Sequence, residues 1–211
     1  AGVIWSNQPE QADTVLLLHS EVLAGQPAFM DSIGSKKFMI PLNSFFQVNT
    51  QAATILYDLI RSHIQHKDHV LDLYCGAGTI SCYIADKAQS VFGIEVVESA
   101  IDSAYENATL NGLTSLSFKA GRVREILANS QFTGHFDTVI LDPPRSGTDK
   151  KTMAHITALS PQQVIYVACG FENLAYNLRT LLENGYAFQS IQPLDMFPHT
   201  PHVEVVITCS V

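Results

Sequence analysis

The residues best suited to chemistry in this chain are a thiol and two carboxylates. Cys169 closes an apolar, β-branched run over residues 164–168 and is followed by Gly170, so the thiol stands where a buried strand gives way to a turn. Open α/β sheets present their chemistry at that edge. A lone cysteine is ordinarily a small core hydrophobe, and Cys82 and Cys209 fit that description. Cys169 differs because other reactive features converge on the same edge. Glu204 leads into the apolar run 205–207, and a carboxylate buried there without a partner costs several kcal/mol. It must therefore be paired, protonated or catalytic, and desolvation would raise its pKa as a general base requires. A plain surface glutamate is the competing reading. Asp142-Pro143-Pro144-Arg145 follows the apolar run 138–141. Its two prolines remove two amide donors and stiffen the chain, which fixes the direction of Asp142 and suits it to grip a flat polar group.

A glycine loop supplies the cofactor half. Residues 70–73 form a short apolar strand running into Tyr74-Cys75-Gly76-Ala77-Gly78-Thr79 and then a helical pattern. Gly76 and Gly78 allow close backbone approach to a ligand. A second strand, 91–94, ends in Glu95, nineteen residues after Gly76. An acid at about that spacing (~20 residues) hydrogen-bonds ribose hydroxyls in nucleotide-binding sheets. The loop lacks the third glycine of the dinucleotide fingerprint, which disfavours hydride chemistry with NAD. An adenosine-bearing ligand without a pyrophosphate fits better, and S-adenosyl-L-methionine leads.

These groups need elements to hold them. A helical pattern begins at Asn49, with Ala52, Ile55, Leu56, Leu59 and Ile60 on one face. Strands and helices then alternate: strand 91–95, helix 97–110, strand 116–120, a short helix near Arg124, strand 138–141, a helix after Asp149, and a helix through Leu174, Leu178, Leu181 and Leu182 that ends near Asn184-Gly185. Such alternation predicts a mainly parallel sheet covered on both faces. Two last strands, near 188–194 and 203–208, are joined by a Pro-rich connection and should pair antiparallel at the sheet edge. Upstream, residues 15–40 carry strand-like runs broken at 25–27 and 32–37, read as a small β appendage over residues 1–43 before a main domain over 44–211.

Taken together, Ser44-Phe45-Phe46-Gln47-Val48-Asn49, Leu71-Asp72-Leu73-Tyr74-Cys75-Gly76, Asp142-Pro143-Pro144-Arg145-Ser146-Gly147, Tyr166-Val167-Ala168-Cys169-Gly170, and Asp195-Met196-Phe197-Pro198-His199-Thr200 with His202-Val203-Glu204 resemble the RNA uracil-C5 methyltransferase family of bacterial 23S rRNA and tRNA enzymes. The resemblance covers residue 44 onward in the family's order. It implies a class I S-adenosylmethionine-dependent methyltransferase fold, a Rossmann-like doubly wound α/β sheet. It makes Cys169 the nucleophile, Glu204 the base and Asp142 an orienter. It also sets Gln47, Tyr74, Thr79, Glu95 and Asp142 around S-adenosyl-L-methionine. The expected reaction is methylation of uridine C5, in 23S rRNA ahead of tRNA, through a cysteine adduct at C6. The family usually shows Ser-Cys-Asn-Pro at its nucleophile, whereas Ala168-Cys169-Gly170-Phe171 stands here, and Arg122 occupies a position where Asn or Asp commonly meets the adenine.

Composition bounds this reading. A chain of 211 residues that is 46% hydrophobic can bury a full core. It shows no apolar run near the ~20 residues of a membrane span and no signal peptide. Cys75, Cys82, Cys169 and Cys209 have no Cys-x-x-Cys spacing, so no metal is expected within the chain, and a cytoplasmic, monomeric protein is. The formal charge of −8 opposes a strong independent grip on RNA. One resolution is a fragment of a longer protein; Lys36-Lys37, Arg122, Arg124, Lys150-Lys151 and Arg179 could also form a basic face, but scattered solvated charges are the simpler reading of them. Competing functions are methylation of an exocyclic amine clamped by Asp-Pro-Pro, and a catalytically impaired module that binds cofactor and RNA.

Overall fold

Strands that read as near-continuous hydrophobic runs, above all the buried VIL and VIYVA stretches of two central strands, form the centre of a seven-stranded sheet, because parallel strands covered on both faces must be apolar on both. A computed structural model of the chain describes residues 2–7, 19–41, 45–171 and 173–211. Residues 15–18 of the first strand-like run and Ser44 lie outside the described residues. In chain order the elements are β1 (Val3–Asn7), β2 (His19–Ala24), β3 (Ala28–Ile33), β4 (Lys36–Pro41), α1 (Thr50–His63), β5 (His69–Leu73), α2 (Thr79–Ile84), β6 (Ser90–Glu95), α3 (Glu98–Leu110), β7 (Leu116–Ala120), α4 (Val123–Ala128), β8 (Thr138–Leu141), α5 (Lys150–Ala158), β9 (Gln163–Ala168), α6 (Leu174–Glu183), β10 (Ala187–Leu194) and β11 (Glu204–Ser210).

The seven-stranded sheet has the order β10-β11-β9-β8-β5-β6-β7. Strands β5 to β9 pair in parallel, and β11 runs antiparallel between β9 and β10. Every residue of β8 is buried, and so are Val164 to Ala168 of β9. The order reverses between β5 and β8, which opens a crevice beyond their carboxyl ends. This is the doubly wound α/β architecture the sequence predicts. The last two strands pair antiparallel as expected, with Ile191 opposite Ile207.

Local chemistry explains the helix boundaries. The Asn49 side chain accepts from the Ala52 amide at 3.1 Å and opens α1, while Asp149 accepts from the amides of Lys151 and Thr152 and opens α5. Helix α6 ends at Asn184 before Gly185, whose φ is +91°. In α1 the buried face is Ala53, Leu56, Tyr57 and Ile60, not the set through Ile55. Ile55 lies two residues from Ala53, about 200° around the helix, and faces solvent.

The upstream strands are more regular than the sequence reading allows. The expected break over 32–37 shrinks to a turn at Gly34-Ser35 between the paired strands β3 and β4, and β1, not expected at all, pairs with β2. Ile33, Phe38 and Ile40 are buried in the same cluster as α1 and β5. Backbone amides of Lys37 and Met39 donate to Asn111 and Asn107 of α3, which joins β4 to the helical layer.

Candidate active site

Strand polarity brings Cys169 and Glu204 together. β9 runs toward the carboxyl edge and β11 runs away from it, with Val205 opposite Ala168. The residue after β9, Cys169, and the first residue of β11, Glu204, therefore share one end of the sheet. Asp142 ends β8, the next strand over, and its amide donates to the Leu73 carbonyl across the switch point at 3.4 Å. Cys169 is half-buried and Glu204 is 7% exposed.

The three groups feel one another's charge. Burial pushes the Asp142 carboxyl up to about 8, and the nearby carboxylates of Glu204 and Asp72 add to the effect. Desolvation also raises Glu204, against the lowering influence of the Arg145 guanidinium. The Cys169 thiol is raised by burial, then by Glu204 and Asp142, while Arg145 pulls it down. Near neutral pH such a cluster holds a protonated Asp142 and a protonated thiol. Arg145 is the one positive charge named in the balance of both Cys169 and Glu204.

The loop carrying Asp142 and Arg145 is braced from α6. The Asn177 side chain accepts from the Tyr166 hydroxyl at 2.9 Å and the Thr148 amide at 3.3 Å, and donates to the Thr148 carbonyl at 2.7 Å. Asn173 donates to the Ser146 carbonyl at 2.5 Å. Gly170 completes the contact: a Cβ there would lie 2.7 Å from the Arg145 carbonyl oxygen and 3.2 Å from its Cα. The departure Ala168-Cys169-Gly170-Phe171 thus has a structural counterpart, since only a residue without a side chain lets the turn after β9 meet the Arg145 backbone this closely.

The second half of the site lies at the ends of β5 and β6. Tyr74 has φ +66°, a left-handed conformation rare for a non-glycine residue, and Tyr74 and Cys75 both donate their amides to the Ile94 carbonyl. Gly76 follows at φ +53°, and a Cβ there would meet open space. The Glu95 carboxylate accepts from the Gly76 amide at 3.1 Å and the Val97 amide at 2.9 Å, one per oxygen, so each oxygen keeps a free lone pair. Gly78, at φ +73°, needs its bareness to pack against Ala104 and Phe118. Thr79 shares a 2.9 Å hydrogen bond with the Tyr57 hydroxyl.

Asp72, one turn behind this loop, is fully buried. Its Oδ2 accepts from the Ser81 hydroxyl at 2.5 Å, whereas Oδ1 is buried with no partner, and burial pushes the carboxyl up to about 7. An unpartnered acceptor, a carboxylate with spare lone pairs and an open glycine bend suit a ligand rich in hydroxyl and ammonium donors, as a nucleoside bearing an amino acid is. The residues present therefore fit S-adenosyl-L-methionine. Gln47 is buried just before α1, on a segment whose Asn49 donates to the Met196 carbonyl in the connection leading to Glu204.

Sequence reasoning missed Tyr57, Asp72 as a site residue, and Asn177. Tyr57 faces the charges of Asp142 and Asp72 from α1, and its buried hydroxyl is shifted upward. The i, i+4 pair of Asn173, the N-cap, and Asn177, which falls on the buried face of α6 with Leu174 and Leu181, was the available signal for the brace. Arg122, at the start of α4, is exposed and lies 3.8 Å from Glu125. Among the described residues no cluster of His, Cys, Asp and Glu could hold a metal ion, and no helix is long and apolar enough to cross a membrane.

Comparisons with known proteins agree with this geometry. Residues 32–210 match the family model described as tRNA (uracil-5-)-methyltransferase. A Bacillus cereus protein described as an uncharacterized RNA methyltransferase is 38% identical over 211 residues, covering 99% of this chain and 46% of the relative. One from a second Bacillus cereus strain, described in the same words, is 42% identical over 188 residues, covering 88% and 41%. This chain thus spans less than half the length of these curated relatives. Among solved structures, the Pyrococcus abyssi tRNA (uracil-54, C5)-methyltransferase in complex with S-adenosyl-L-homocysteine superposes with a TM-score of 0.81 at 30% identity, over 99% of this chain and 50% of that one. A M. jannaschii tRNA m1G37 methyltransferase has a TM-score of 0.66 at 14% identity over 91% of this chain and 60% of its own, and speaks to the fold alone.

Proposed function

This chain belongs to the tRNA (uracil-5-)-methyltransferase family, and on that footing we propose that it methylates C5 of a uridine in RNA, with S-adenosyl-L-methionine as donor and a covalent Cys169 adduct at C6. The observation that carries the reading is the placement of Cys169, Glu204 and Asp142 on one sheet edge beside the glycine bend and Glu95.

Uracil C5 is too poor a nucleophile to take a methyl group unaided. Sγ of Cys169 bonds to C6 as its proton leaves to solvent through the exposed side of the thiol, and the ring's π pair moves through C5 onto O4 as an enolate. Arg145 favours the thiolate, offsetting the burial and the two acids that oppose it. S-adenosyl-L-methionine, when bound, supplies an electrophilic methyl group; Tyr74, Gly76, Gly78, Thr79, Glu95 and Gln47 would hold it. Methylation would use the enolate pair at C5 and leave the S–CH3 bonding pair on the departing S-adenosyl-L-homocysteine; Glu204 then removes the C5 proton, the released pair re-forms the C5–C6 double bond, and Sγ departs as thiolate. Glu204 suits this step because burial raises its carboxyl, and a desolvated carboxylate is a stronger base than one in water. Asp142, neutral near pH 7, can donate a hydrogen bond and so orients its partner.

The resemblance puts 23S rRNA first as substrate, and the tRNA named for the P. abyssi neighbour stands beside it. Methyl incorporation into the two transcripts side by side decides between them. The mechanism itself is tested with 5-fluorouracil-substituted RNA and S-adenosyl-L-methionine. Fluorine cannot leave as a proton does, so an adduct resistant to denaturation should accumulate with the parent chain and disappear with Cys169→Ala. Methylation by Cys169→Ala at the parent rate would replace this reading with amine methylation at Asp142-Pro143-Pro144.

A further inference from the structure

Near the thiol the surface carries two exposed aromatic rings and a lysine that the proposed chemistry does not use, next to Arg145, which it does. Phe171, two residues after Cys169, is 54% exposed. It cannot retreat under the neighbouring loop, because Gly170 already packs against the Arg145 backbone and a single Cβ at 170 would lie 2.7 Å from the Arg145 carbonyl oxygen. Three residues on from Asn173, which bonds the Ser146 carbonyl of the Arg145 loop, Tyr176 of α6 is exposed, and Nζ of Lys150 sits 4.8 Å from the centre of its ring, joining the start of α5 to α6. Arg145 is also exposed. In a chain with 12 basic and 20 acidic residues, Arg145 and Lys150 are the cations beside these rings, with the exposed Asp149 next to Lys150.

We infer that Phe171 is a stacking platform for the base next to the target uridine, with the Lys150–Tyr176 pair and Arg145 tracking the phosphates on that side. The inference rests on the RNA reading above and adds to it the site that holds the flanking nucleotide. A uridine can reach Cys169 only if it is splayed out of its own stack, and the adjoining nucleotide must then cross this surface with one base face uncovered. Sequence-tolerant recognition of single-stranded RNA uses aromatic rings for the uncovered faces and Lys or Arg for the backbone. A phenyl ring fixed half in solvent beside the reacting thiol matches the first need, and the two cations match the second. The position bears proline in the family's usual motif, so the platform is a property of this chain rather than of the nucleophile.

The test is direct RNA binding and methyl transfer by the full chain, measured separately at low salt. The probe is a short fluorescein-labelled single-stranded RNA with one uridine, in an intact form and in a form with abasic nucleotides flanking that uridine. Phe171→Ala should weaken binding of the intact probe roughly 5- to 150-fold, Phe171→Trp should restore it, and Phe171→Leu, apolar but unable to stack, should not. The abasic probe should bind parent and Phe171→Ala alike, and the melting temperature and S-adenosyl-L-homocysteine affinity should not move. Equal binding by parent and Phe171→Ala, no binding by the parent, or a Phe171→Ala defect that persists on the abasic probe would each overturn the inference. Binding that depends on Phe171 without any methyl transfer would sink the enzymatic reading and spare this one; methyl transfer indifferent to Phe171 would do the reverse.

Discussion

Replacing Asp142 by Asn should make the fold more resistant to rising pH. The Asp142 carboxyl titrates near 8 in the folded chain against 3.8 for an unhindered aspartate, mainly because burial disfavours its charge. The folded state therefore holds a proton that the unfolded state has already released, and over that interval unfolding becomes easier by about 1.4 kcal/mol for each unit of pH. Stability from this group is fully present below pH 3.8 and is lost as pH climbs toward 8. Between pH 5 and pH 8 the ceiling is about 4 kcal/mol. Asp142 opens partly to the cleft, where solvent screens its charge, so about half of that, ~2 kcal/mol, is the working figure. Asn has the same shape and no charge, so the variant escapes the loss. For a domain of this size 1 kcal/mol moves the melting temperature by about 2–4 °C. Thermal denaturation of parent and Asp142→Asn at pH 5, 6, 7 and 8 should show the variant's advantage growing by about 4–8 °C across the range. Asp72, pushed up to about 7, imposes a similar slope on both proteins and largely cancels in the difference. An advantage that is flat with pH, or one that shrinks, would refute the assignment of a buried, protonated Asp142.

Three further outcomes follow from the site. Glu204→Gln should slow turnover about 100- to 10,000-fold while a methylated adduct accumulates on ordinary uridine RNA, since the C5 proton then has no acceptor; turnover within a few-fold of the parent, read by methyl incorporation, would remove Glu204 as base. Glu95→Ala should weaken S-adenosyl-L-homocysteine binding by about 10- to 100-fold in calorimetry, the range for losing charge-assisted hydrogen bonds; unchanged affinity would place the ligand elsewhere. Asn177→Ala strips partners from the buried Tyr166 hydroxyl and the Thr148 backbone, and should cost about 2–4 kcal/mol in chemical denaturation; a loss under 1 kcal/mol would mean that water takes over the brace.

Much of this was legible because parallel strands advertise themselves. The runs 138–141 and 116–120 are found at the expected bounds, and the glycine bend and Glu95 meet through the Gly76 amide. The proximity of Cys169 and Glu204 is harder to read, since it depends on β11 lying antiparallel beside β9, which no local pattern encodes. Helix periodicity left one face of α1 ambiguous, and the wrong choice included Ile55 while passing over Tyr57, the residue that bonds Thr79. Strand β1 carries no buried residue, so the alternation that marks a half-buried strand is absent there. Gly170 could be recognised as a departure from a motif but not explained, because its reason lies in the Arg145 backbone, 25 positions earlier in sequence.

The place of β11 has a consequence for how the molecule is assembled. It comes after β10 in sequence yet inserts between β10 and β9. A nascent polypeptide synthesised only as far as Leu194 could lay down five parallel strands and the glycine bend, but β9 would be left with a bare edge and the proton acceptor would still be missing. On the proposed chemistry, donor binding and Cys169 would be ready before Glu204 arrives. The final strand seals the sheet and brings Glu204 to the edge where Cys169 stands.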